Sequence, residues 1–192
     1  MMDLDTNISI FNVFATPLML GLLLMLSVAL ITDLSSHKIP NKLVLLGLVI
    51  SFILQVILKE WPGVINWLLG VTLGFIGFLP LYLLRGMAAG DVKLMMAVGG
   101  FLGYPLIIPA LIYSIILGGV FAIIYTLFKG RLGLLSRNLY DMTIRLFLKS
   151  ATKVNVGGAI EQHNSAGKMP YALAIAAGVL FAIVFDGHGK IF

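Results

Sequence analysis

The sequence predicts an all-α membrane protein, a polytopic bundle of about six transmembrane helices with both termini outside. Two observations lead to this prediction. First, 60% of the 192 residues are hydrophobic and only 11% are charged, with a mean hydropathy of +1.06. Second, apolar segments follow one another along nearly the whole chain, which leaves no room for a separate soluble domain. We therefore expect a single integral membrane domain over residues 1–192.

A span needs roughly 17 to 25 mainly apolar residues to cross about 30 Å of hydrocarbon. Four segments meet this requirement directly: residues 11–32, 40–58, 64–84 and 169–185. The first is expected to be retained as a helix, because no small-residue cleavage site of a signal peptide follows it. Residues 86–128 are too many for one crossing, and Gly103-Tyr104-Pro105 predicts a turn that divides them into two helices.

The distribution of basic residues favours six spans over five. With six spans, eleven Lys and Arg residues fall in inner loops and two fall outside, whereas five spans would send the seven bases of 129–168 outward. The net charge of +5 is thus explained by orientation in the membrane, and no nucleic-acid partner is predicted. The chain has no cysteine, which excludes disulfides, thiolate catalysis and cysteine-based zinc sites.

The inner loop 129–168 is predicted to contain an interfacial amphipathic helix. Its apolar residues recur at helical spacing beside a stripe of charged residues, as shown by Leu135, Leu139, Met142 and Leu146 against Arg137, Asp141, Arg145 and Lys149. Such a helix either binds anionic lipid or a partner, or simply lies on the bilayer to join two spans.

Small residues recur at helical spacing within the predicted spans and allow close helix packing. They are Gly70 with Gly74, Gly99 with Gly103, and Ala174 with Gly178.

Two carboxylates lie at the boundaries of the apolar segments, where an ionisable group is costly and suggests function. Asp33 directly follows the first predicted span, and Asp91 opens the fourth, so the six-span topology places both at the inner face. Each also has a structural interpretation: Asp91 as a helix N-cap and Asp33 as a solvated interface residue. Other acidic residues, including Glu60 and Asp186, are expected in loops or tails.

Other hydrolytic sites lack their required residues. There is no HExxH motif, and His37, His163 and His188 are scattered, so no zinc ligand set is present. No GxSxG motif and no phosphate-binding glycine loop occur either. We predict neither metal nor cofactor, and acid–base chemistry by two aspartates remains if the chain is an enzyme. Such a pair shares one proton, so that one carboxylate acts as base and the other as acid.

Three sequence patches resemble the type IV prepilin peptidases, membrane aspartyl proteases with a GxGD motif, and in particular their small Tad/Cpa branch. The resemblance rests on residues 33–41, DLSSHKIPN, on residues 90–94, GDVKL, and on residues 169–178, MPYALAIAAG. It implies that Asp33 and Asp91 are catalytic, with Gly90 and Lys93 in supporting roles. Lys93 would tune Asp91, or else it simply extends its ammonium group to the interface.

The resemblance also implies a substrate and a location. Type IV (Flp-like) pilin precursors, with a short basic leader before an apolar helix, would be cut at the cytoplasmic face of the bacterial inner membrane. Membrane lipids and the pilus or secretion machinery would be the other partners.

The sequence departs from the family pattern in two ways. Ala88 replaces the first glycine of GxGD, so some backbone freedom is expected to be lost. The cysteine-bearing domain of larger members is missing, and methylation of the new N-terminus is not expected. Two alternatives therefore stay open: a catalytically inactive assembly factor of a pilus or secretion machine, and a proton-coupled membrane carrier.

Overall fold

The computed structural model describes residues 17–84, 86–128 and 171–186. These residues form five α-helices and no strand, which confirms the all-α prediction for this part of the chain. The helices are α1 (Pro17–Ser36), α2 (Asn41–Leu83), α3 (Ala89–Leu102), α4 (Ile107–Phe128) and α5 (Ala172–Asp186). The predicted amphipathic helix in 129–168 and both chain termini lie outside the described residues.

Three of the described helices are long and apolar enough to cross a membrane: Pro17–Ser36, Asn41–Leu83 and, within α4, Ile107–Ile124. The apolar helix α5 is shorter. Large apolar side chains point away from the bundle, among them Leu24 and Ile57, each 69% exposed. An apolar exterior of this kind suits lipid as the surrounding solvent.

Helix α2 is a hairpin of two arms. At Glu60 the backbone leaves helical geometry, with φ 52° and ψ −133°. The Trp67 indole Nε1 then donates a hydrogen bond to Ser51 Oγ at 2.9 Å. In a straight helix, these residues would be separated by about 24 Å along the axis. The chain therefore reverses at Glu60, which agrees with the division predicted between 40–58 and 64–84.

A buried polar cluster joins this hairpin to the C-terminal end of α3. Gln55 is fully buried, and its Nε2 lies 3.4 Å from both the Gly100 and Phe101 carbonyl oxygens. The last carbonyls of a helix lack partners within the helix, so this side chain serves as a cap. Asn66 Oδ1 accepts a hydrogen bond from the Tyr104 backbone N–H at 2.8 Å. We call Ser51, Gln55, Asn66 and Trp67 the polar cluster.

The predicted turn between α3 and α4 is confirmed. Helix α3 ends at Leu102, and Gly103 follows with φ 67°, a conformation that favours glycine. The Gly103 N–H donates to the Gly99 carbonyl at 2.8 Å. Helix α4 then begins at Ile107.

The predicted close helix contacts at small residues are also present. Gly70 of α2 lies directly against the Gly99 backbone of α3, and Gly74 lies against the Met95 carbonyl. Gly178 of α5 lies against Ser114 of α4. Because a Cβ at any of these glycines would collide with backbone, they set how closely the helices approach.

Candidate active site

Asp33 lies within the last turns of α1, three residues before the helix ends at Ser36. It is only 5% exposed, so the interpretation as a solvated interface residue is wrong. Its Oδ2 accepts a hydrogen bond from the backbone N–H of Ala172 at 3.0 Å. Ala172 is the first residue of α5, and the last described helix is thereby joined to the first.

Asp91 lies in the first turn of α3 and is 6% exposed. The N-cap of this helix is Ala88, three residues earlier, so the interpretation of Asp91 as N-cap is wrong. Asp91 Oδ2 instead accepts a hydrogen bond from the Ala88 backbone N–H at 3.1 Å. A carboxylate in this position satisfies a donor at the helix start that has no partner within the helix.

The packing of α1 against α3 brings these two buried carboxyl groups within electrostatic range of each other. Each carboxyl group lies at the start of a helix: Asp91 in the first turn of α3, and Asp33 against the first residue of α5. A helix N-terminus carries a partial positive charge that stabilises a nearby carboxylate, typically by about 0.3–1 kcal/mol. The surrounding backbone thus favours negative charge at this point.

The first two sequence patches are in direct contact. Lys93 Nζ donates a hydrogen bond to Asn41 Oδ1 at 3.1 Å, which links the start of α3 to the start of α2. Ile39 packs beside Gly90, where an added Cβ would lie 3.5 Å from the Ile39 Cβ. The Lys93 side chain is exposed, and its ammonium group is hydrogen-bonded to Asn41.

The substitution at the motif's first glycine carries no strain. Ala88 has φ −82° and ψ 154°, an extended conformation that is open to any L-residue. The observed conformation at this position therefore does not require glycine.

A comparison with protein families bears on this arrangement. The model of the type IV leader peptidase family matches residues 20–123, more than half of the chain, and this stretch includes Asp33 and Asp91. The chain belongs to the type IV leader peptidase family. Searches of curated proteins and of solved structures found no significant match. Family and apolar helices together identify this leader peptidase family member as a membrane protein.

One residue of this leader peptidase family member was not singled out from its sequence. Tyr171, directly before α5, lies close enough to Asp91 to be affected by its charge. Its ring meets that of Phe78 edge to face, with centroids 6.1 Å apart, and its hydroxyl lies against Gly118 of α4. In the sequence, Tyr171 was marked by its place in the third patch, residues 169–178. Nothing in the sequence pointed to Gly118.

Two buried carboxyl groups that interact can hold a single proton between them, because ionising both would place two like charges close together. Such a pair supplies a general base and a general acid at once. In this leader peptidase family member, the base and the acid would come from α1 and α3. This chemistry would be located at the end of the bundle where α2, α3 and α5 begin.

Proposed function

We propose that the chain is an intramembrane aspartyl endopeptidase with Asp33 and Asp91 as its catalytic pair. The observation that carries the proposal is the burial of both carboxylates within electrostatic range of each other. Membership of the type IV leader peptidase family supports peptide-bond hydrolysis as the reaction. Gly90 and Lys93 support the pair by their contacts with the segment after Asp33.

In the proposed reaction, the ionised aspartate takes a proton from water while the water oxygen attacks the scissile carbonyl carbon. The protonated aspartate gives its proton to the carbonyl oxygen, which forms a neutral tetrahedral intermediate. On collapse, a proton passes to the leaving nitrogen as the carbon–nitrogen bond breaks, and a carboxylic acid and an amine are released. No covalent bond to the enzyme forms.

The proposed substrate is a type IV (Flp-like) pilin precursor, cut between its short basic leader and the following apolar helix. Family membership supports a substrate of this general kind. The site would face the cytoplasm in a bacterial inner membrane, with six crossings and both termini outside. The excess of basic residues in the predicted inner loops supports this orientation.

The decisive experiment is cleavage of a pilin precursor in membranes that carry the wild-type chain, Asp33→Asn or Asp91→Asn. We expect wild type to cleave and both variants to fail at normal abundance, because an amide can neither accept nor donate the shared proton. Asp186→Asn is the matched control, since Asp186 lies at the far end of α5 from Ala172, where it accepts a hydrogen bond from the Tyr113 hydroxyl. It should cleave like wild type.

The same variants separate the peptidase from the two alternatives. An inactive assembly factor would support pilus or secretion assembly equally well with either asparagine. A carrier would move protons across proteoliposomes in an aspartate-dependent way without cutting any precursor. Cleavage that survives either substitution would contradict the proposed catalytic pair.

A further inference from the structure

Tyr171 lies between two helices, directly before the residue that donates to Asp33. It directly precedes α5, its ring packs on Phe78 of α2, and its hydroxyl lies against Gly118 of α4. Phe78 is fully buried, so the aromatic contact is part of the packed core. A residue held on two sides in this way has little freedom to move.

Tyr171 directly precedes the residue that supplies the donor to Asp33. The next residue, Ala172, supplies the backbone N–H that lies 3.0 Å from Asp33 Oδ2. A backbone donor cannot rotate toward its acceptor as a side chain can, so its aim depends on where the helix begins. Tyr171 and Ala172 share one peptide unit, and the Tyr171 contacts therefore determine the direction of this hydrogen bond.

Two neighbouring glycines show that the contact with α4 is specific. A Cβ at Gly118 would collide with the Tyr171 hydroxyl and ring, whereas a Cβ at Gly119 would meet nothing within 4 Å. Gly118 thus forms a notch that the Tyr171 side chain fills. Its neighbour makes no comparable contact.

We propose that Tyr171 is a positioning residue of the active site. Packed on Phe78 and seated in the Gly118 notch, it holds the Ala172 N–H on Asp33 and so orients that carboxylate for the reaction. This rests on the proposed function. The Tyr171 ring and the Gly118 notch act together, while the Tyr171 hydroxyl takes no part in proton transfer.

The experiment compares Gly118→Ala and Tyr171→Leu with wild type in the cleavage assay. Each should lower kcat about tenfold and leave KM within about twofold, since a hydrogen bond to a charged group is worth at least that factor. Gly119→Ala and Tyr113→Phe are the matched controls and should keep the wild-type kcat. Tyr171→Phe, which retains the ring, should restore most of the activity that Tyr171→Leu loses.

A second measurement does not depend on cleavage. Amide hydrogen exchange, read by mass spectrometry, reports how well the Ala172 N–H is protected by its hydrogen bond to Asp33. An amide that loses its acceptor exchanges faster. Exchange at Ala172 should therefore be faster in Gly118→Ala and Tyr171→Leu than in wild type, and unchanged in Gly119→Ala.

The outcomes separate the two proposals. If wild type cleaves no precursor, the peptidase proposal fails, and hydrogen exchange at Ala172 still decides the positioning role. Wild-type exchange at Ala172 in both Gly118→Ala and Tyr171→Leu would overturn that role. If the Gly118→Ala protein does not accumulate in the membrane, the comparison of Tyr171→Leu with Tyr171→Phe decides the positioning role. Equal loss of kcat in that pair, with wild-type exchange at Ala172 in both variants, would show that the hydroxyl itself acts, and the positioning role would be overturned.

Discussion

Asp91 and Ala88 are joined by two reciprocal hydrogen bonds at the start of α3. The Ala88 N–H donates to Asp91 Oδ2 at 3.1 Å, and the Asp91 N–H donates to the Ala88 carbonyl oxygen at 3.1 Å. The residue at the first glycine position of the motif thus supports Asp91 through its backbone. Its side chain is not needed for this contact.

Replacing Ala88 tests whether its backbone N–H is needed. Ala88→Pro removes the N–H while its ring suits the observed φ of −82°. We expect the cleavage rate to fall by about tenfold or more, because a hydrogen bond to a charged group is lost. Precursor cleavage at equal enzyme abundance is the measurement.

Ala88→Gly is the matched control for this prediction. It retains the N–H, and the observed conformation is open to both residues. We expect cleavage within about twofold of wild type, since no donor is lost. A large gain in activity with glycine would show that alanine impairs the site after all.

Gly90→Ala should separate stability from activity. In the described structure, the three atoms nearest to an added Cβ all belong to Ile39, the closest at an ordinary contact distance of 3.5 Å. Alanine is more favourable than glycine within a helix by about 0.5–1 kcal/mol. We therefore expect the thermal midpoint in detergent to be unchanged or raised. Cleavage should fall, because glycine at this position would leave room for the substrate backbone.

The control for Gly90→Ala is Gly99→Ala, where the added Cβ would collide with the Gly70 carbonyl. This variant should lower the thermal midpoint. Wild-type cleavage by Gly90→Ala would show that the motif glycine is not required for substrate access.

The two tryptophans of the chain test the polar cluster. Trp67→Phe keeps an aromatic ring beside Phe52 but removes the N–H that binds Ser51. We expect a loss of about 1 kcal/mol in the free energy of unfolding, the usual value of such a hydrogen bond. Trp61, at the hairpin tip, is 73% exposed, and Trp61→Phe should leave stability unchanged. Thermal unfolding in detergent measures both, and equal effects would contradict a stabilising role for the cluster.

Labelling of introduced cysteines tests the proposed six-span topology. The chain has no cysteine, so each variant carries a single reactive thiol. Cysteines at exposed Trp61 and Tyr104 should react with a membrane-impermeant maleimide on intact cells, because both lie in predicted outer loops. Lys38→Cys should react only after the membrane is opened. Labelling of Lys38→Cys alone on intact cells would show that the topology is inverted. Labelling of all three variants on intact cells would contradict the six-span topology.

Sequence alone was sufficient for the helical class and for most helix boundaries. The divisions near Glu60 and at Gly103 could be predicted because each combines helix-breaking residues with a limit on span length. The contacts of Gly70, Gly99 and Gly178 were anticipated because small residues at helical spacing leave room for a neighbouring helix. These are local properties, and a local pattern is enough to predict them.

The surroundings of the aspartates could not be predicted in the same way. Asp33 and Asp91 were identified from their positions at apolar boundaries, yet each was also assigned a solvent or capping role that the structure contradicts. Burial depends on which helices pack around a residue, and here those helices are distant in sequence. Ala88 shows the same limit, because its extended backbone conformation is set by the start of α3.

The apolar helices, their turns and the two carboxylates at their boundaries could be predicted from the sequence. These features depend on hydrophobicity, charge and helix-breaking residues, which act over a few turns of chain. The hydrogen bond from Ala172 to Asp33 and the fit of Tyr171 in the Gly118 notch could be found only in the folded bundle. Such contacts join residues far apart in the sequence, and their geometry depends on how the whole bundle packs.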